Sequence, residues 1–333
     1  MKDASNLPDF SRRGLLAAIA SAPALTVAPA AAQPAIGAAE TMKAALRAPG
    51  GTKLAILGSG GGPGPGRMRK MTSHVMLSNG VAYVLDCGLG VTDSFAQTGI
   101  AFSALNSIFI THHHPDHNIE YGPFLVVGWV QGMKPSVRAY GPPPLKDMTE
   151  GFLRAYKTTI DFWAEDFKMK PLGMIEVGEI SAAGPVMQDA NVKVSAILVD
   201  HPPVKPALAY RFDFQDRAIV FSGDTAPLEA VARLAKGADV LVHEAMDVPA
   251  VEGYVRSLMA ARSLNFDAFM AHMKADHTPL EDVGRIAAEA GVKTLVLSHL
   301  TPALDGISDE TWRAPVAKSF KGEIIVARDL TVV

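Results

Sequence analysis

Six consecutive positions, His112-His113-His114-Pro115-Asp116-His117, hold four imidazoles and a carboxylate. Such groups are costly to bury together unless something binds them. Neutral imidazoles and a carboxylate suit a borderline divalent ion such as zinc. A histidine-rich surface tract would look similar, but the apolar run Ile108 to Ile110 precedes this cluster and stops at Thr111. That run reads as a buried strand, so the cluster is placed at a strand end. Pro115 cannot extend a strand and restricts the residue before it, which makes the loop rigid. Cys87 is the only cysteine of the chain. It excludes an intramolecular disulfide and a thiolate metal cage, and it reads as a small buried residue rather than a nucleophile.

A rigid α/β framework is needed to present such a cluster. The 333 residues, 48% hydrophobic and 20% charged, suffice for one large α/β domain or two small ones. Strands are expected at 53–57, 73–77 and 81–85, the last two joined by Ser78-Asn79-Gly80, a strong hairpin signal. Further strands are expected at 137–140, 192–199, 207–212, 218–221, 240–242 and 295–297, with helices at 228–234, 250–274 and 279–290. The glycine-rich stretch 58–66 lacks the Gly-Lys-Ser/Thr ending of a P-loop, and Pro63 and Pro65 remove amide donors, so it is no phosphate cradle. Residues 145–170 read as helical, with Phe152, Tyr156, Ile160 and Trp163 on one apolar stripe. Such a stripe is more often core than a substrate lid. Residues 33–52 are rich in Ala, Pro and Gly and read as a linker.

The N-terminus reads as a targeting segment. Ser11-Arg12-Arg13-Gly14-Leu15-Leu16 is a twin-arginine pattern, followed by an Ala-rich apolar stretch and Ala30-Ala31-Ala32. Pro23 and Pro29 interrupt the apolar stretch, so no stable membrane anchor is expected. Residues 1–32 are therefore expected to be a cleaved twin-arginine signal peptide, with export of the folded protein to a periplasm.

The H-x-H-x-D-H arrangement of residues 112–117 resembles the signature of the metallo-β-lactamase superfamily, and the likeness runs from about Lys53 to Val333. In detail it looks most like the ribonuclease Z and arylsulfatase-like hydrolases. The resemblance implies an αβ/βα four-layer sandwich over 53–333, with 145–170 as a helical insert. It implies that the glycine-rich loop lies beside the metal site. It also implies two divalent ions, zinc first and manganese or iron as alternatives. His112, His114, His201 and Asp224 would hold one; Asp116, His117, His299 and Asp224 the other. His201 follows a strand in Val199-Asp200-His201-Pro202, Asp224 lies in Ser222-Gly223-Asp224-Thr225, and His299 ends Leu297-Ser298-His299. Two such ions can share a hydroxide and clamp an in-line displacement, and Asp116 would orient the hydroxide. Val242-His243-Glu244-Ala245 and Asp276-His277-Thr278 resemble elements of the ribonuclease Z branch, although Met246 replaces a threonine. By that likeness His277 would protonate the departing oxygen and Glu244 would hold its tautomer. Asp116, His277 and Glu244 are thus the candidate catalytic groups. His113 alternates away from the ligand face and reads as structural.

Partners follow from charge. The formal net charge of −3 does not favour a general polyanion binder. In the ribonuclease Z family the region corresponding to 145–170 is a basic arm that grips transfer RNA. Here five basic residues balance five acidic ones, which argues against nucleic acid and for a small-molecule substrate. Phosphodiesters and aryl sulfates lead; lactones and β-lactams also fit the fold. A mononuclear-iron dioxygenase of the same superfamily is the rival from another reaction class, opposed by the complete second-site set. Export machinery is the other expected partner, and self-association is left open.

Overall fold

The computed structural model describes residues 33–64, 69–173, 175–259 and 265–333. The signal-peptide expectation for 1–32 falls outside them. Contacts divide the chain after Ala38, and the body described below is 39–333.

Two sheets lie at its centre. The first holds β1 (Lys53–Gly58), β2 (Ser73–Ser78), β3 (Val81–Leu85), β4 (Leu105–Phe109), β5 (Arg138–Gly141) and β6 (Glu176–Glu179), in that spatial order. β1 to β3 pair antiparallel and β3 to β6 parallel. The second holds β7 (Gly184–Gln188), β8 (Val192–Val199), β9 (Ala207–Phe214), β10 (Ala218–Phe221), β11 (Val240–Met246), β12 (Thr294–Thr301) and β13 (Glu323–Val326), also in spatial sequence. Here β7 to β10 are antiparallel and β10 to β13 parallel. The expected hairpin forms between β2 and β3, with Asn79 and Gly80 both at positive φ, 49° and 75°.

Period-two alternation explains the layering. In β1, Leu54 and Ile56 point into the space between the sheets, where Phe109, Tyr210, Phe212 and Phe221 meet them. Ala55 and Leu57 point outward to Phe95 of α2 (Val91–Thr98) and Phe124 of α3 (Tyr121–Val130). The outer face of the second sheet packs Leu241, Leu295 and Leu297 against its own helices, among them α6 (Glu229–Ala235). Each large apolar side chain so buried contributes about 1.5–3 kcal/mol relative to exposure. The result is four layers, helix–sheet–sheet–helix, as the resemblance implied. The tail crosses between sheets: Leu54 N donates to Val333 O at 3.1 Å and Ile56 N to Thr331 O at 2.8 Å, so β1 is pinned along its free edge.

Residues 33–52 are not simply a linker. Gln33–Arg47 forms helix α1, and Ala39, Met42 and Leu46, spaced three and four apart, are buried. Alanine's helix propensity prevails over the Pro and Gly content, because Pro34 sits in the first turn where its missing N–H costs nothing. Residues 145–166 form α4 (Leu145–Ala155) and α5 (Lys157–Asp166). Ile160 is buried, and Phe152, Tyr156 and Trp163 are partly buried against the layer outside the first sheet, so the stripe packs onto the core. Among the described residues no helix is long and apolar enough to cross a membrane.

Candidate metal centre

The site forms where the carboxyl ends of β3, β4, β8 and β10 meet the last turns of β11 and β12. Asp86, just past β3, adopts a left-handed φ of 59°, and its carboxylate accepts the Thr111 amide at 2.8 Å. The same group lies 2.8 Å from His117 Nδ1, so it fixes the tautomer that leaves Nε2 facing the cluster. His117 stands on a single helical turn, Pro115–Asn118, started by Pro115. Cys87 N donates to His117 O at 2.6 Å, which binds that turn to the strand behind it. Cys87 itself is buried, and burial pushes its thiol up, so it is inert.

All seven candidate ligands converge. His112 Nε2 and His201 Nε2 lie 3.1 and 3.0 Å from His114 Nδ1. His201 Nδ1 donates to the Asp276 carbonyl at 2.8 Å, which aims Nε2 inward. Asp116 Oδ2 lies 3.2 Å from His299 Nε2 and accepts the Gly62 amide at 2.8 Å, so the glycine-rich loop does border the site. Asp224 Oδ2 sits between the two sets: 3.0 Å from His299 Nε2, 3.3 Å from His117 Nε2, 3.8 Å from His112 Nε2 and 4.0 Å from His201 Nε2. Only glycine allows this approach, because Gly223 has φ 60° and a Cβ there would strike the Leu208 carbonyl oxygen.

The donor set fits metal. His117 Nε2 and Asp224 Oδ1 are buried with no hydrogen-bond partner among the described residues. Burial, and then the neighbouring His117, holds His112 well below its usual pKa; burial holds His201 at about 4. Both are therefore neutral, the form that offers a lone pair. Burial would lower His117 too, but Asp224, Asp86 and Asp116 raise it well above its usual value. Burial would raise Asp224, yet His299 and His117 hold it well below the carboxylate range. The carboxylates thus draw positive charge to this half of the site, and a cation can take the proton's place.

Glu244 and His277 form a second buried unit at the rim. His277 Nδ1 donates to Glu244 Oε2 at 2.9 Å, while Glu244 Oε1 accepts the amides of Thr225 at 2.9 Å and Thr278 at 3.1 Å. Burial disfavours the His277 cation, but Glu244 outweighs it and raises the group to about 9. The His277 ring lies 5.3 Å from that of His201 and 5.6 Å from that of His299, so it overlooks both halves. His113 turns away, its Nε2 donating to Pro142 O at 2.9 Å.

A sequence profile described as a beta-lactamase superfamily domain matches residues 82–300. The chain belongs to the metallo-β-lactamase superfamily. It is a metal-dependent hydrolase, similar to a ribonuclease Z of Mycobacterium bovis at 30% identity over 282 residues, which covers 84% of this chain and 96% of that protein. In fold it resembles the Bacillus subtilis metallo-beta-lactamase fold protein YhfI, with a TM-score of 0.64, 18% identity, and 85% and 100% of the two chains covered. Human tRNase Z, short form, matches with a TM-score of 0.60 at 19% identity, over 84% of this chain and 98% of that one.

Two supporting residues were not singled out from the sequence. Asp86 is hidden in an ordinary-looking strand terminus, Leu85-Asp86-Cys87-Gly88; a carboxylate directly after an apolar strand was the available signal. Gly61 lies against His299, where a Cβ would come within 2.6 Å of Nδ1.

Proposed function

We propose that this hydrolase cleaves phosphodiesters after export by the twin-arginine route, with aryl sulfates as the nearest alternative substrate. The observation that carries the reading is Asp224 Oδ2, within 3.0–4.0 Å of four imidazole nitrogens belonging to both halves of the site. A carboxylate so placed would serve both cations. His112, His114, His201 and Asp224 would hold the first; Asp116, His117, His299 and Asp224 the second. Zinc suits this imidazole-rich, thiolate-free set best, and manganese or iron also fit. Two bound divalent ions lower the pKa of water and offset the charge of a phosphodiester. Asp116, held by the Gly62 amide, orients the attacking water. His277, its Nδ1 committed to Glu244, presents Nε2 to the departing oxygen and protonates it.

RNA is the second reading, favoured by the name of the Mycobacterium relatives, and it weighs against the expectation that nucleic acid is an unlikely partner. The balanced charge of 145–170 supports a small molecule instead. Metal-replete protein, freed of residues 1–32, should be assayed on a p-nitrophenyl phosphodiester, phosphomonoester and sulfate, an acyl lactone, a cephalosporin and a precursor transfer RNA. Phosphodiester turnover is expected to exceed the others. Turnover of the lactone or cephalosporin alone would refute the reading, and preference for the RNA would establish the second. Metal analysis should find two ions per chain; one iron would indicate the dioxygenase.

A further inference from the structure

Beside the His299 half of the site lies a groove of about 730 Å³. That is the size of a small-ligand pocket. Its floor is the loop Gly61–Gly64 and the segment Thr301–Asp305, which directly follow and adjoin His299. Its wall is a helix pair, α7 (Val248–Met259) and α8 (Phe266–Asp276), that contributes Val251, Tyr254, Val255, Phe269 and Met273. Among the described residues the lining has no Lys or Arg, and its single charge is Asp305. Tyr254 and Leu304, each 38% exposed, border it although large apolar side chains normally avoid water. The helix pair keeps its own small apolar cluster of Met246, Val251, Val255 and Met270, apart from the three apolar clusters of the four-layer sandwich.

Helix α8 (Phe266–Asp276) connects this groove to the chemistry. Phe269 and Met273 are one turn apart on the same face. His277 follows one turn later, its amide donating to Met273 O at 3.1 Å. The apolar wall therefore runs straight to the imidazole that faces the departing oxygen.

We infer that this groove receives the departing alcohol or phenol, and that this group is uncharged and apolar, with an aryl or bulky alkyl body. The inference rests on the phosphodiesterase reading. The reaction balances as a hydrolysis: water's hydroxyl bonds to phosphorus, the bond from phosphorus to the organic oxygen breaks, and that oxygen keeps the electron pair and gains a proton. The products are a phosphomonoester and the alcohol or phenol. Among the described lining residues a nucleoside leaving group with its attached phosphates meets no cation and faces the Asp305 carboxylate, which disfavours it.

The test separates binding from turnover. Methyl benzylphosphonate and methyl 4-phenylbenzylphosphonate carry carbon in place of the departing oxygen and cannot lose that group. Calorimetry on the metal-loaded protein should show the larger compound binding at least about tenfold more tightly, because its second ring buries further apolar area. Tyr254→Ser and Met273→Ser, both at partly exposed positions that tolerate a polar side chain, should each remove most of that preference. Methyl phenyl phosphate and methyl 4-biphenylyl phosphate should show the same preference in kcat/KM. Equal binding of the two phosphonates by the unsubstituted protein would overturn the inference, as would a preference unchanged in both variants. If the binding preference and its loss in the variants are seen but neither diester is hydrolysed, the groove assignment stands and the phosphodiesterase reading falls.

Discussion

Replacing Gly61 by alanine should damage one half of the centre selectively. The added Cβ would meet Thr301 Oγ1 first, a hydroxyl that can rotate aside, and would lie 2.6 Å from His299 Nδ1 and 2.7 Å from its Cε1, against ordinary contact from 3.4 Å. The loop cannot retreat, because Gly61 N donates to Leu300 O at 3.1 Å and Leu300 N to Ser59 O at 2.9 Å. The ring must therefore give way by about 0.8 Å, the difference between 2.6 and 3.4 Å. His299 Nε2 now stands 3.0 Å from Asp224 Oδ2 and 3.2 Å from Asp116 Oδ2, and metal sites tolerate only about ±0.2 Å. Displacement of a ligand on this scale should weaken the ion held with Asp116 and His117 by about 10–100-fold. Turnover should fall by about 10²-fold. The ion held by His112, His114 and His201 should stay near its original affinity, since His299 does not face it. Chelator-competition titration with metal analysis after dialysis resolves the two ions. Gly64→Ala, with nothing within 4 Å of the new Cβ, is the control. Two ions bound at unchanged affinity in Gly61→Ala would refute the reasoning.

Asp224→Ala should weaken both ions at once; loss of one with the other intact would contradict the shared role. His277→Ala should keep both metals and lower kcat by about 10²–10⁴-fold on an alkoxide leaving group, but far less on p-nitrophenolate, which departs without a proton. Equal losses on both would make His277 a substrate-positioning residue. Asp86→Ala strips partners from the Thr111 amide and from His117 Nδ1, and chemical denaturation should show a loss of about 1–3 kcal/mol with weaker metal binding; an unchanged midpoint and affinity would refute its supporting role. Arg12→Lys with Arg13→Lys should trap the precursor in the cytoplasm, as read by fractionation and blotting, and unchanged export would mean that the N-terminal pattern is not a twin-arginine signal.

The local features were legible in the sequence. Residues 112–117 announce a metal site because four imidazoles and a carboxylate crowd six positions after an apolar strand, and the Asn79-Gly80 turn fixes its own hairpin. His201, Asp224 and His299 each look like lone residues at strand ends. Only a resemblance joined them to the cluster, because their meeting depends on two sheets packing face to face. The linker expectation for 33–52 failed for a related reason: Ala39, Met42 and Leu46 form a buried stripe only once a layer exists to receive them. Tertiary structure alone decided that Asp86, in a turn after β3, supports His117 from 31 residues away. It also decided that Gly61 must lack a side chain because His299, more than two hundred residues later, occupies that space. The apolar groove is the extreme case. Its floor and wall come from three distant segments, none unusual by itself, and its position beside His277 follows from where helix α8 ends against the sandwich. Sequence specifies donors and turns through short-range chemistry; which surfaces face one another is settled by the burial of apolar strand faces, a property of the whole chain.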